Sequence, residues 1–181
     1  NNTQIAKEMG IDYRTYEKLF LFAINSFMIF NVKPWAKPNK LNKRFVKSPK
    51  LYFTDCNFLS YIMKRSIDEL YDDKTVFGHI FENFVAIELL KSAKINNVEL
   101  SHYRTQAGKE SDFVLENMSG EIVGIEIKSS INADKKQISG LIELKELTGD
   151  KFKRGFVLYN GNEILPLYDK IWLVPISYFW Q

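Results

Sequence analysis

With 181 residues, 45% hydrophobic and 14% aromatic, the chain has ample material for a packed core, which argues against a disordered segment. A net charge of +3 is too mild to argue for a nucleic-acid partner by itself. The single cysteine, Cys56, excludes an internal disulfide and a Cys-based zinc site and fits a reduced, cytoplasmic setting.

The longest apolar run, Leu19 to Ile24, is far too short to span a bilayer, and no secretory signal pattern opens the chain. The chain begins at Asn1 rather than Met, which reads as a piece of a longer protein. Thr3 to Met9 has helical spacing, and Gly10 suits the left-handed position that ends a helix. Asp12 caps a second helix to about Ser26. Helix, Gly-containing turn and helix predict a helix-turn-helix, with Phe27 to Trp35 as a following β-wing. From Lys33 to Lys50 the chain carries seven basic residues, with Pro34, Pro38 and Pro49 breaking any helix. A domain boundary is expected there, dividing a unit of residues 1–48 from a larger domain of 49–181.

In that larger part Leu51 to Phe53 reads as a strand and Phe58 to Lys64 as a short helix. Thr75 is expected to cap a long helix over Val76 to Lys94, with Phe77, Phe81 and Phe84 on an apolar face. Strands follow over Glu99–Thr105, Ser111–Glu116 and Glu121–Ser129. Asp134 is expected to cap a helix to about Leu147, before strands at Phe156–Tyr159, Glu163–Leu167 and Ile171–Val174. The class is mixed α/β: a central sheet flanked by helices, preceded by a helix-turn-helix or winged-helix unit.

Met118-Ser119-Gly120 reads as a hairpin turn. Counting outward from Ser119 sets Asp112 opposite Glu126, Phe113 opposite Ile125 and Leu115 opposite Val123. Alternation puts Asp112, Val114, Gly124, Glu126 and Lys128 on one face and an entirely apolar set on the other. Opposed carboxylates about 5 Å apart need a positive neighbour. Lys128 is one candidate, and a divalent cation suited to hard oxygen ligands, Mg²⁺ or Mn²⁺, is another. Gly124 would leave space beside the pair, and Glu110 would add a further acid. Spacing alone leaves open a solvated Glu–Lys–Asp ladder. Against that ladder stand the nearly all-apolar strand around Glu126 and the acid Glu82, set among aromatics on the long helix.

Glu82, Asp112 and Glu126-Ile127-Lys128 resemble the E…D…E-x-K signature of the PD-(D/E)XK, restriction-endonuclease-like superfamily. Five stretches in order are similar to a C-terminal domain of unknown function that follows a P-loop module and winged helix in prokaryotic AAA-type ATPases. They are Ser48–Asp55, Gly78–Val85, Tyr103–Thr105, Gly108–Val114 and Ile125–Ser130. The likeness runs from near Thr3 to Trp180. It departs at Cys56-Asn57-Phe58, where the family usually has Thr-Gly-Leu, and at Ser111, where Pro is usual. No G-x-x-x-x-G-K-[ST] occurs, so ATP would bind only through a module absent from this chain.

The resemblance implies that Asp112 and Glu126, with the Ile127 carbonyl, hold Mg²⁺ or Mn²⁺. Glu82 would reach the metal directly or through water, and Lys128 would orient or deprotonate the attacking water. Glu88, the other acid on that helix, would point elsewhere. Lys43, Arg44, Lys47 and Arg104 are candidate contacts to nucleic acid, DNA before RNA, although the basic stretch would serve equally as a solvated linker. The helix-turn-helix could read DNA through Tyr13, Arg14, Thr15 and Lys18. Its apolar second helix suits packing against the ATPase module of the parent protein better. His79, His102 and Cys56 read as ordinary structural residues. Two functions follow: a metal-dependent nuclease domain regulated by an ATPase, or a nuclease-like fold that binds nucleic acid or protein without cutting.

Overall fold

The computed structural model describes residues 2–35, 48–128 and 138–180. The fold is mixed α/β. Its sheet has eight strands in the order β2-β1-β3-β4-β5-β6-β8-β7, flanked by helices. Helices α1 (Asn2–Glu8) and α2 (Tyr13–Asn25) flank a turn in which Gly10 takes a φ of 68°. Asp12 caps α2 through the Thr15 amide, as its side-chain chemistry predicts.

Strand β1 (Ile29–Pro34), expected as a wing, pairs antiparallel with β2 (Lys50–Phe53) and parallel with β3 (Glu99–Arg104) through Lys33 and Pro34. The β1–β2 ribbon curls over one face of the sheet. Tyr52 thereby reaches Phe113, with ring centroids 5.5 Å apart, although their strands are three places apart in the sheet order. Helix α3 (Cys56–Met63) begins at an Asp55 cap.

Helix α4 (Ile67–Asp72) was not expected, yet Ser66 and Glu69 close a full capping box at its start. Helix α5 (Lys74–Ile95) is capped by Asp73 rather than Thr75: the Asp73 carboxylate takes the Val76 amide. It covers the face bearing Phe113, Ile125 and Ile127.

Strands β4 (Glu110–Glu116) and β5 (Ile122–Lys128) form the expected hairpin, with Phe113 opposite Ile125 and Leu115 opposite Val123. Helix α6 (Ser139–Thr148) crosses to β6 (Phe152–Tyr159), which pairs parallel with β5. The expected cap Asp134 lies outside the described residues. Strands β7 (Leu165–Tyr168) and β8 (Ile171–Pro175) complete the sheet. Helix α6 packs Leu141 and Leu144 against Gly124: a Cβ there would stand 2.6 Å from Leu141. Gly124 therefore admits a helix, not the space beside the carboxylates expected from the sequence. No helix among the described residues is long and apolar enough to cross a membrane.

Candidate metal and nucleic-acid site

The β4–β5 ladder stops at Phe113 and Ile125, and side chains take over where the strands part. Ser111 donates its hydroxyl to the Ile125 carbonyl at 3.0 Å. Asp112 accepts the Ile127 amide on Oδ2 at 2.9 Å. Each substitution satisfies a backbone group that the ladder no longer pairs. The Asp112 carboxylate is thus fixed in the opening between two central strands, one position from the end of the apolar register.

Lys50 approaches from the curled ribbon. Its Nζ donates to Asp112 Oδ1 at 2.8 Å and to Glu82 Oε1 at 3.0 Å. Tyr52, two residues along the same strand and so on the same side, donates its hydroxyl to Glu82 Oε1 at 2.6 Å. Burial pulls the Lys50 ammonium toward neutrality, but Asp112 and Glu82 more than offset it and leave its pKa raised. Burial, then Glu82, likewise raises that of Tyr52.

Asn83 sets the position of the strand. Its carboxamide accepts the Phe53 amide at 2.8 Å and donates to the Phe53 carbonyl at 3.1 Å, as a paired strand would. Neighbouring residues of α5 therefore clasp β2 and receive its lysine.

Glu126 and Lys128 form a second pair, Nζ to Oε1 at 2.8 Å. Glu126 is 3% exposed, and its Oε2 is buried with no hydrogen-bond partner. Its pKa is pushed up to about 8, first by burial and then by the Asp112 carboxylate. Asp112, bonded to Lys50 on one side and to the amide between Glu126 and Lys128 on the other, links the two pairs.

A cleft of about 490 Å³ opens over Lys50, Glu82 and Asp112, with His79, Arg104 and Glu110 also in its wall. Glu126 and Lys128 are not part of that wall. Arg104 pairs with Glu110 at 3.4 Å. Lys43, Arg44 and Lys47 lie outside the described residues. Glu88 pairs with Lys91 instead of joining the site. His102 is fully buried, and burial lowers its pKa to about 4. A neutral ring must then carry its proton on Nε2 to donate to the Ser48 carbonyl at 3.2 Å.

Lys50 and Asn83 were not singled out from the sequence, although both stand in the quoted stretches. The period-two spacing of Lys50 and Tyr52 on β2 was the available signal. Their destination on α5 depended on a ribbon curl that no local pattern encodes.

Among the described residues no group of three or more His, Cys, Asp or Glu side chains is arranged to hold a metal ion. The buried Oε2 of Glu126 has no hydrogen-bond donor of its own, although Lys128 pairs with Oε1, and a hard divalent cation is one kind of partner that a carboxylate oxygen takes.

Comparison with known proteins gives two family matches. The model of the domain of unknown function DUF4143 matches residues 77–179, and that of the domain of unknown function DUF8612 matches residues 1–69. No curated protein matches. Among solved structures, a chain of the refined half-complex from the tetradecameric assembly of Thermococcus gammatolerans McrB AAA+ hexamers with bound McrC is similar at 12% identity. The TM-score is 0.32, over 54% of this chain and 27% of that one, so the chain spans about a quarter of its length.

Proposed function

The chain belongs to the family of the domain of unknown function DUF4143, and we propose that it is the nuclease-like module of an ATPase-linked protein. Its site is a Mg²⁺- or Mn²⁺-dependent phosphodiesterase centre acting on nucleic acid, DNA before RNA. The division expected near residue 48 would separate the helical start from the sheet domain, although β1 of that sheet lies before it. The antiparallel β4–β5 hairpin, the α6 crossover to a parallel β6 and α5 on the opposite face support a restriction-endonuclease-like reading of the sheet. The family match supports the ATPase-linked setting that the sequence resemblance implies.

One observation carries the reading: a buried glutamate with an unpartnered oxygen, beside a fixed aspartate and a lysine. Asp112, Glu126 and the Ile127 carbonyl would hold the metal, with Glu82 reaching it directly or through water. A divalent cation there supplies a Lewis acid for the phosphodiester and lowers the pKa of water. Burial opposes the Lys128 ammonium but Glu126 keeps its pKa raised. Lys128 therefore stays charged, and it orients the water and donates to the developing negative charge rather than acting as a base. Arg104, at the cleft wall, takes a backbone phosphate.

Mn²⁺ titration of the wild type, Asp112→Asn and Lys128→Ala, followed by incubation with DNA and RNA, tests this. Asp112→Asn is expected to weaken metal binding sharply, because it removes a charge and a hard ligand. Lys128→Ala is expected to bind metal and cut nothing. A wild type that takes up no Mg²⁺ or Mn²⁺ at millimolar concentration refutes the metal site. A second reading, a binding module that does not cut, is favoured by Lys50, which already neutralises Glu82 and Asp112. Metal binding without cleavage, with the ATPase module present, would establish it.

A further inference from the structure

We propose that Lys50 is a resident counter-cation that a divalent metal must displace from Asp112, so that Lys50 sets the metal affinity of the site. The inference rests on the metal reading above. Asp112 Oδ2 is committed to the Ile127 amide at 2.9 Å. Oδ1 is the oxygen left for a cation, and the Lys50 ammonium occupies it at 2.8 Å while also reaching Glu82 Oε1 at 3.0 Å. These are charge-assisted contacts of full strength. Mg²⁺ binds carboxylate oxygen at about 2.1 Å. An ammonium and a dication on one carboxylate oxygen would stand only a few ångströms apart, where like charges repel strongly in a half-dry site.

The structure supplies the means of exchange. Strand β2 is fixed by the two Asn83 bonds to Phe53, so the lysine stem can swing without moving its strand. The Lys50 side chain keeps 23% of its surface exposed and lines the cleft. Once displaced, its ammonium remains tethered at the cleft, on the same wall as Arg104, as a donor to an anionic group. Lys50 is thus a positioning residue: one ammonium holds the Asp112 and Glu82 carboxylates to itself before metal arrives.

Mn²⁺ binding measured by the electron paramagnetic resonance of free Mn²⁺, without nucleic acid, tests the proposal on wild type, Lys50→Met and Lys50→Arg, with Asp112→Asn as the metal-site control. Lys50→Met is expected to bind Mn²⁺ at least about tenfold more tightly, a difference of ~1.4 kcal/mol. Its metal-free melting temperature should fall and be restored by Mn²⁺. Lys50→Arg keeps the charge and grips both carboxylates with a fork, so it is expected to bind Mn²⁺ more weakly than wild type. Binding by Lys50→Met alone, with the wild type silent at millimolar Mn²⁺, overturns displacement, because the ammonium then excludes the metal instead of yielding to it.

Wild-type binding with Lys50→Met no tighter overturns the proposal and leaves the metal site standing. No binding by any variant overturns both. Should Lys50→Met fail to fold, Lys50→Arg decides alone: affinity equal to or above wild type overturns displacement.

Discussion

Glu126 carries opposing demands. Its strand needs burial, and its carboxyl group resists ionising there, with a pKa near 8 against an ordinary 4.5. The folded state therefore binds this proton more tightly than the unfolded chain. That contribution is fully present below about pH 4.5 and is lost as pH rises through 8. His102 acts in the opposite direction: its pKa falls to about 4 from 6.5, so its contribution is present above 6.5 and is lost as pH falls through 4. The two oppose each other between about pH 4.5 and 6.5, and Glu126 acts alone of the pair from 6.5 to 8.

In metal-free buffer, urea-unfolding stability is expected to fall across that upper window, by at most about 1.4 kcal/mol per pH unit for one proton. Glu126→Gln should flatten the slope, and a wild-type profile already flat from 6.5 to 8 would contradict the assignment. The β4–β5 register was legible as far as Phe113 and Ile125 because a turn fixes register, and the expected opposition of Asp112 and Glu126 falls one pair beyond the end of that ladder. The pairing of Lys50 with Asp112 and Glu82 was not legible, because its strand arrives over the face of the sheet.

Elements meet here through small residues. At the start of α6, Gly140 lies directly on β4: a Cβ would stand 1.6 Å from the Glu110 carbonyl oxygen, a backbone atom that cannot rotate away. Gly140→Ala is expected to destabilise the fold by about 1–3 kcal/mol through overpacking. A melting temperature unchanged from wild type would show that the helix can slide. Asn83→Leu leaves the Phe53 amide and carbonyl without their partners, at a cost of about 1–3 kcal/mol. Faster hydrogen exchange at Phe53, beyond any global loss, would be its signature.

Helix periodicity made α2 and α5 readable. Their ends depended on competition between nearby acceptors, and Asp73 outcompeted Thr75 because a carboxylate accepts an amide better than a hydroxyl does. The capping box at Ser66 and Glu69 was visible in the sequence, but α4 has only six residues and no periodic face to accompany it.

Across the whole molecule, the strand order runs through the boundary expected near residue 48. Strand β1 lies before it and β2 after it, and β1 joins β2 to β3. Val32 and Trp35, both before the boundary, are buried in the cores. The Trp35 amide also donates to the His102 carbonyl. A chain starting at residue 49 should leave β2 unpaired and the edge of β3 open, a state prone to aggregate. It is expected to be insoluble, or cut by protease near residues 50–55. A monomeric, protease-resistant product of 49–181 would show that the ribbon is dispensable. Composition shift and basic charge located a change in the chain, but charge density says nothing about which strands hydrogen-bond across it.

The ribbon also gives the helical pair a mechanical purchase on the chemistry. The Thr54 amide and hydroxyl both donate to the Met28 carbonyl, and the hydroxyl reaches the Phe27 carbonyl as well, so the far end of α2 is buckled to the end of β2. Strand side chains alternate, and Lys50 faces the carboxylates from opposite Val32. A pull that advanced β2 by one residue would turn the ammonium away and present the isobutyl group of Leu51 to two acids. The register of β2 against β1 thus decides which side chain meets the two acids, and the end of α2 is tied to that register through Thr54.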